Sequence, residues 1–436
     1  MLVNFRVKNF KSFKNNTEFS MEATKLKNLK ESNTFKINNI SLLKSAVIYG
    51  ANASGKSNLL DAMNKMKTIL ISSHSMQEMQ TYIHEPFLLN TEFEKESTLY
   101  EIELIINDEL YRYGFEIDEK SIILEEWLYR KKLVTRAKET KLFTRIQEKI
   151  TIGTNFKEGK KLETKTRVDA LFLSIVAQFN GDISLNILDW FYLDFKILSS
   201  LKSDEFKFSS FDTIKDNNYK KDIVKLLKSA DVGIYDLDTK KISVEEFLEI
   251  HANNKELNGE FLKNFIEEAS GEKIDNDDAQ KIQTSHMKYD KNNEFKEFKY
   301  FDLSFESDGT QRLLALSAPL ILVLKKGGVL VIDELDNSMH TDLVKAIIKL
   351  FNSKESNPNN AQLIFTTHDT NLLNQELFRR DQIWFTEKDI YGVSKLYSLV
   401  EYGKGKARDD LVLEKNYLEG KFGAKPHISS LAFEVK

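Results

Sequence analysis

GANASGKS, residues 50–57, follows the apolar run 45–49 and precedes a predicted helix that begins near Asn58. It matches G-x-x-x-x-G-K-S/T, the pattern of a phosphate-binding loop, in which backbone N–H groups and a helix N-terminus point at an anion. Lys56 is placed to reach the β- and γ-phosphates, and the Ser57 hydroxyl to complete a Mg²⁺ shell. The sequence therefore predicts a nucleoside triphosphate site with these binding residues: Gly50, Asn52, Ala53, Ser54, Gly55, Lys56, Ser57 and Asn58.

A second predicted strand, 329–332, ends in the two acids Asp333 and Glu334. Its apolar, β-branched residues are typical of a strand buried in a parallel sheet. Ligands meet the carboxyl ends of the strands in a nucleotide-binding α/β sheet. We therefore expect Asp333 and Ser57 to hold Mg²⁺ and Glu334 to polarise the attacking water. A plain strand followed by an acidic helix cap is the alternative, and the phosphate-binding loop favours the catalytic interpretation.

Two further stretches narrow the class of protein. The predicted strand 363–367 ends at His368, where a side chain can contact a γ-phosphate, although a lone histidine at a strand end is more often structural. ESDGTQR, residues 306–312, opens a predicted helix whose N-terminus is a second anion-binding end. This order of motifs resembles that of ABC-type ATPases, which implies ATP as the nucleotide. The resemblance also implies at least a dimer, in which Ser307 and Gly309 contact the ATP of a neighbouring subunit.

Length and composition limit the classes of protein to which this chain can belong. A chain of 436 residues is long enough for two or three domains, and its net charge of −4 argues against a clamp that binds polyanions over its whole surface. The absence of cysteine excludes disulfides and thiolate metal sites. No apolar run approaches the roughly 20 residues of a membrane helix, and the first residues read as a strand rather than a signal peptide. We expect a cytoplasmic protein with no membrane contact.

The motifs predict an α/β fold, an ABC-type (RecF/SMC-like) P-loop ATPase head in three parts. Residues 1–130 would form its N-terminal half, with the P-loop and an antiparallel β-subdomain whose strands read at 99–106, 111–117 and 122–130. Residues 131–295 would form a mainly helical insertion, since the P-loop and Gly309 are farther apart than one compact core requires. Residues 296–436 would complete the head. No sustained heptads occur, so we expect no long coiled coil.

The start of this insertion is strongly basic. Residues 131–167 hold 12 Lys or Arg against 4 acids, which makes them the best candidate for contact with nucleic acid or an acidic protein. A solvated hairpin with lysine-rich edges that discourage aggregation explains the same pattern. Farther along, helices are predicted at 220–230, 244–252 and 262–269, and an acidic segment at 256–278. The sequence alone leaves both interpretations of the basic region open.

Over nearly its whole length the chain is similar to the AAA/ABC-type ATPases of bacterial abortive infection, which include RloA, AbiL and the AriA protein of PARIS systems. The resemblance is carried by Arg6 with FKSF (10–13), GANASGKSN (50–58), DALFLS (169–174), ESDGTQRL (306–313), VIDELDNSMH (331–340), QLIFTTHDTNLL (362–373), RRDQIWF (379–385) and YLEGKFGA (417–424). It implies an ATPase sensor, a homodimer or higher homo-oligomer, that controls a small RloB- or Toprim-like nuclease or toxin until a phage-encoded trigger arrives. By position, Glu334 would activate water and His368 would sense the γ-phosphate.

Some sequence features depart from the pattern of these ATPases, and other functions are also considered. His340 occupies the place where SMC-type heads have an aspartate in the loop that crosses the dimer, and no glutamine can be placed in a metal-sensing loop after the P-loop. Glu387 and Asp389 lack a following D-x-D, so no nuclease activity of the chain's own is expected. The runner-up is a RecF-like DNA-repair ATPase that closes on DNA. A scaffold with an inactive site is disfavoured, because Lys56, Asp333 and Glu334 are all present.

Overall fold

The computed structural model describes residues 1–73, 84–134, 137–198, 216–230, 232–243, 246, 280–401 and 412–424. The chain divides into two compact units. The first comprises Met1–Ser199, Val323–Asn337 and Thr341–Lys436, and the second comprises Ser200–Leu322 and Ser338–His340. Among the described residues, no helix combines the length and the apolar character needed to cross a membrane.

The strands, in chain order, are β1 (Leu2–Lys8), β2 (Thr17–Ser20), β3 (Thr34–Ile37), β4 (Ile40–Leu43), β5 (Ser45–Gly50), β6 (Thr98–Ile106), β7 (Glu109–Ile117), β8 (Ile123–Lys132), β9 (Thr140–Ile146), β10 (Lys149–Ile152), β11 (Phe195–Leu198), β12 (Asp236–Lys241), β13 (Gln280–Tyr289), β14 (Phe295–Asp302), β15 (Val329–Ile332), β16 (Gln362–Thr366), β17 (Ile383–Lys388) and β18 (Ser394–Ser398).

The α-helices are α1 (Lys30–Asn33), α2 (Lys56–Ser72), α3 (Phe172–Gln178), α4 (Asp182–Asp189), α5 (Asn217–Ser229), α6 (Asp308–Lys326), α7 (Thr341–Asn352) and α8 (Leu413–Leu418). A π-helical turn, Trp190–Asp194, extends α4. Short 3-10 turns occur at Phe93–Lys95, Lys157–Gly159, Glu163–Lys165, Leu303–Phe305, Thr370–Leu372 and Arg380–Gln382.

A six-stranded sheet in the first unit positions the site. Its order is β11-β15-β16-β5-β17-β18, and every neighbouring pair is parallel except β17 with β18. The strands β5, β15 and β16 are buried along their whole length, as expected for continuous apolar runs in a parallel sheet. Because parallel strands end at the same edge, the loops that follow β5, β15 and β16 meet there.

An antiparallel sheet of the same unit has the order β10-β9-β8-β7-β6-β1-β2. Its inward side chains join one apolar core with those of α2, whose buried residues recur at helical spacing: Leu59, Leu60, Met63, Met66, Ile69 and Leu70. This sheet contains the predicted β-subdomain. It also contains β9 and β10, so the predicted boundary at residue 130 falls inside a continuous sheet. The division into three domains stays a prediction.

The second unit contains a three-stranded antiparallel sheet, β12-β13-β14, with α5 and most of α6. The predicted helix at 220–230 is confirmed by α5. The predicted helices at 244–252 and 262–269 and the acidic segment 256–278 lie outside the described residues. This sheet was not predicted from the sequence, because β14 is exposed along most of its length and shows no apolar alternation. No long coiled coil occurs in the described ranges.

Candidate nucleotide site

The loop between β5 and α2 is shaped to surround an anion. Ala53 (φ 61°) and Gly55 (φ 114°) both take left-handed backbone conformations, which turn the chain tightly at the start of the helix. A Cβ atom on Gly55 would lie 2.6 Å from Ser394 Oγ, so glycine is required there by space as well as by φ. No side chain caps the N-terminus of α2. Its first N–H groups are therefore placed to bind a phosphate.

Lys56 is folded back onto this loop. It is buried, and its Nζ donates to the backbone oxygens of Gly50 (2.8 Å) and Ala51 (3.1 Å). Burial lowers its pKa to about 8, against the opposing attraction of nearby carboxylates, of which Asp333 contributes most. A polyphosphate would supply the negative charge that restores the ammonium form. Lys56 is thus held at the loop, and an anionic ligand would stabilise its charged form.

The loop is also held by hydroxyl groups. Ser54 Oγ and Thr386 Oγ1 are 2.6 Å apart, and Ser394 Oγ lies 2.6 Å from the backbone oxygen of Ser54. Asn58 donates to Ser12 Oγ at 2.7 Å, which places this predicted binding residue at the first turn of α2. Ser57, by contrast, is exposed, as are Asn52 and Ala53 at the tip of the loop. These three exposed residues are open to a nucleotide and its metal from solvent.

Asp333 and Glu334 follow β15 and are fixed by one hydroxyl group. Thr366 Oγ1, at the end of the neighbouring strand β16, donates to Asp333 Oδ1 at 2.5 Å and accepts from the backbone N–H of Glu334 at 2.7 Å. Glu334 itself has a φ of 48°, a left-handed backbone conformation that is uncommon for a residue with a side chain. This turn directs the two adjacent carboxylates differently, so they can take different roles.

His368, which follows β16, faces the same cluster. Its Nε2 lies 3.8 Å from Glu334 Oε1, and its backbone N–H donates to Asp336 Oδ2 at 3.3 Å. Burial and the ammonium of Lys56 lower its pKa, against the attraction of the carboxylates. A histidine with a lowered pKa is neutral at pH 7 and can donate a single N–H to a ligand oxygen.

Asp336 belongs to this cluster and was missed by the sequence analysis. Its charge acts on both Lys56 and His368. Its Oδ1 atom is buried and has no hydrogen-bond partner within the described part of the chain, which is the arrangement expected of an oxygen that awaits a ligand or a water molecule. The D-E-x-D spacing of residues 333–336 is the sequence signal that could have indicated Asp336. Thr366 and Asp336 are therefore additions to the predicted site.

The donor set suits Mg²⁺. The oxygens of Asp333 and Ser57 are hard ligands, and protein-bound Mg²⁺ usually takes one or two protein oxygens together with phosphates and water. The described ranges contain no preformed group of three His, Asp or Glu side chains that could hold a metal by themselves. Asp333 and Ser57 could hold a Mg²⁺ whose remaining ligands are phosphate oxygens and water.

A cleft of about 710 Å³ lies beside the loop, entirely within the first unit. The P-loop residues 50–54 and His368 form one side. Tyr417, Leu418 and Ala424 of the C-terminal segment form another. The Tyr417 ring stacks on Phe385 of β17, with centroids 5.6 Å apart, so the segment is tied to the sheet that carries the P-loop. YLEGKFGA thus supplies a wall of the cleft.

Ser307 and Gly309 lie in the second unit, at the start of α6. Ser307 Oγ accepts from the backbone N–H of Thr310 at 3.2 Å, as a helix-capping serine does. A Cβ on Gly309 would lie 2.6 Å from the backbone oxygen of Ser338, so this position has no room for a side chain. The predicted role of this turn towards a neighbouring subunit stays a prediction.

Comparison with known proteins follows this geometry. A family model described as "AAA domain, putative AbiEii toxin, Type IV TA system" matches residues 45–374, which is more than half of the chain. The chain therefore belongs to this AAA family, and its parallel sheet with a P-loop after β5 is the α/β core predicted from the sequence. The match begins with the first residue of β5 and includes the P-loop, ESDGTQR, Asp333, Glu334 and His368.

Similar solved structures include the SMC head domain from Thermotoga maritima, with 13% identity and a TM-score of 0.39, over 91% of this chain and 98% of that one. Another is a SmcHead bound to the C-winged helix domain of ScpA, with 15% identity and a TM-score of 0.41, over 91% and 97%. Comparison with curated proteins gives no match. Family membership implies nucleotide binding, and the individual roles of the site residues stay predictions.

Proposed function

We propose that the protein binds and hydrolyses ATP as the sensor of an anti-phage abortive-infection system, and controls a separate nuclease or toxin effector through ATP-dependent oligomeric assembly. The observation that supports hydrolysis most strongly is the meeting of Lys56, the Asp333–Glu334 pair and His368 at one edge of one sheet. The reference of the family description to a toxin and a toxin–antitoxin system supports the defence role.

The chemistry assigns one task to each group. The N-terminus of α2 and Lys56 would bind the β- and γ-phosphates, and Ser57 with Asp333 would hold the Mg²⁺ that neutralises them. Glu334 would accept a hydrogen bond from the attacking water and orient it. His368 would donate a ring N–H to the γ-phosphate and register whether that group is present. Loss of the γ-phosphate would then release His368.

Assembly follows from the exposure of these groups. The Glu334 side chain is 49% exposed and the His368 side chain 39%, so water reaches both in a single chain. Electrostatic stabilisation of a transition state is strongest where water is excluded. A neighbouring subunit that places Ser307 and Gly309 over the nucleotide would provide this cover. In this proposal the working form is a homodimer or a higher homo-oligomer, and the protein acts in the cytoplasm.

The proposal is tested by affinity purification from the native host with ATP and Mg²⁺. Wild type should retain a small nuclease- or toxin-like protein, and Lys56→Ala, which cannot hold the triphosphate, should change the amount retained. Recovery of the same partner at the same level by both would remove nucleotide control from the account. Recovery of DNA alone, without a protein partner, would support the alternative below.

The alternative is a RecF-like DNA-repair ATPase that closes on DNA. Lys149 of the basic region 131–167 is exposed on the edge strand β10, and Lys141 is exposed on the neighbouring strand β9. Exposed lysines at a sheet edge suit either DNA or protection from aggregation. Arg145 of this region is instead buried and donates to the backbone oxygen of Ala170, so it is structural. Salt-sensitive duplex binding that is lost in Lys141→Gln/Lys149→Gln would favour repair.

A further inference from the structure

The second unit exposes a row of aromatic side chains on one face of its three-stranded sheet. Tyr289 of β13 and Phe295, Phe298 and Tyr300 of β14 are between 37% and 53% exposed, and Tyr235, just before β12, is 39% exposed. Aromatic side chains of this size are normally buried or placed in contact with a partner. So many on one small sheet indicate a binding surface.

Register and ring contacts place these residues on the same face, called the aromatic face below. Phe298 pairs with Met287 across the strands, and Tyr289 Oη lies 3.2 Å from Met287 Sδ. The Phe298 ring contacts the rings of Tyr235 and Phe295, with centroids 4.6 Å and 5.0 Å apart. Tyr300 lies two residues beyond Phe298 and therefore projects from the same side. The irregularity opposite Lys288 and Tyr289 turns Phe295 towards its neighbours.

Lysines flank the aromatic face. A cleft of about 390 Å³ is lined by Lys220, Lys221 and Lys228 of α5, together with Tyr235. Lys228 Nζ lies 4.2 Å from the centroid of the Tyr235 ring, close enough for a cation–π contact. At the other end, Lys296 is adjacent to Phe295 in FKEFKYF, residues 295–301. Asp236 also lines this cleft, and its Oδ1 lies 3.8 Å from Lys220 Nζ, so the net positive charge of the cleft comes from Lys221 and Lys228.

We propose that the aromatic face binds single-stranded nucleic acid. Exposed rings beside lysines are the combination that binds such strands without sequence preference, since each base can stack on a ring while ammonium groups follow the phosphates. In a duplex the bases are stacked inside the helix and are not accessible for stacking on protein rings. An apolar protein partner would not require the lysines around Tyr235.

The opposite face of the same sheet reaches the start of α6. Thr284 Oγ1 and His286 Nε2 of β13 contact Glu306 Oε1, at 2.5 Å and 2.7 Å, and Glu306 directly precedes Ser307. A nucleic-acid strand bound to the aromatic face would therefore contact the sheet that holds the ESDGTQR turn. Binding itself requires neither ATP nor the P-loop, and it stands or falls independently of the proposed ATPase.

The test is fluorescence anisotropy of the full chain with a labelled 20-nucleotide strand and, in parallel, the matching duplex, at low and at moderate salt. Wild type should bind the strand at least tenfold more tightly than the duplex. Phe295→Leu/Tyr300→Leu keeps apolar area but removes two stacking surfaces, and should weaken binding at least tenfold. Lys221→Gln/Lys228→Gln should lower the salt dependence.

Two controls separate the outcomes. Tyr391→Ala and Tyr192→Ala each change an exposed tyrosine of the first unit and should bind as wild type. No binding of the strand at low salt, or equal losses in Tyr391→Ala and the leucine variant, would overturn the proposal. A sedimentation coefficient that falls in the leucine variant while nucleic-acid binding is unchanged would also overturn it, and would assign the aromatic face to contact between copies of the chain.

Discussion

Replacing Thr366 by valine should disable the site without touching either carboxylate. The Thr366 side chain is fully buried, and its one hydroxyl serves both Asp333 and the backbone N–H of Glu334. Valine has nearly the same volume, so the change removes two hydrogen bonds and creates no cavity. A buried donor or acceptor left without a partner costs about 1–3 kcal/mol. Water can reach the half-buried Asp333, so we expect a loss of about 2 kcal/mol in unfolding free energy, mainly from the amide.

The effect on turnover should be larger than the effect on stability. A displacement of reacting groups by about 1 Å costs on the order of 10²-fold in rate, and Thr366 sets the positions of both predicted catalytic acids. Phosphate release at saturating ATP and Mg²⁺ measures this, with thermal denaturation in parallel. Thr366→Ser is the matched control, because it keeps the hydroxyl and loses one methyl group, worth about 0.8 kcal/mol. Turnover of Thr366→Val at the rate of Thr366→Ser would refute the reasoning.

Two further predictions concern charge. Because burial holds the pKa of Lys56 at about 8 in the free protein and bound phosphates raise it, ATP affinity should be constant below pH 8 and weaken as the pH rises above 8, by up to tenfold per pH unit. Titration with a fluorescent ATP analogue from pH 6.5 to 9.5 measures this, and a flat profile would contradict it. Arg379, fully buried, donates to Asp381 and to the backbone oxygens of Leu26 and Asn28. Arg379→Met should therefore cost about 3–5 kcal/mol of unfolding free energy. Arg379→Met/Asp381→Leu should recover part of that loss in thermal denaturation, and a double variant no more stable than the single one would contradict the explanation.

The central part of the fold could be predicted from sequence because its signals are local. An apolar strand, a glycine-rich turn and a helix start fall within residues 45–60, and each remaining site strand is followed within two residues by the residue that marks it, such as Asp333 or His368. Parallel pairing then brings the loops to one edge without further information. The predicted fold class and the P-loop ATPase family were confirmed for this reason.

What could not be predicted depends on distant pairs. No sequence motif marks Thr366 as a site residue. It bonds to Asp333 only because β16 lies beside β15. The boundary between the β-subdomain and the insertion could not be predicted either, since β9 belongs to the same sheet as β1 and β6. β13 and β14 escaped notice because their aromatic residues remain exposed instead of alternating between a core and solvent.

The RRDQIWF stretch, residues 379–385, shows how a motif can be recognised before it is explained. Besides the contacts of Arg379, the Gln382 side chain donates to Ser45 and accepts from Asn33, all of them buried. These bonds join the start of β5 to the chain before β17, at the end of the sheet opposite the P-loop. The motif therefore stabilises the strand that carries the site rather than taking part in its chemistry.

The most direct test of the central claim compares ATP binding and phosphate release for wild type, Glu334→Gln and Lys56→Ala at pH 7 with Mg²⁺. The account predicts that Glu334→Gln binds ATP as wild type does but releases phosphate at least 10²-fold more slowly. Lys56→Ala should lose most of the binding. Wild-type turnover by Glu334→Gln, or undiminished ATP binding by Lys56→Ala, would contradict the assignment of this sheet edge as the site of ATP hydrolysis.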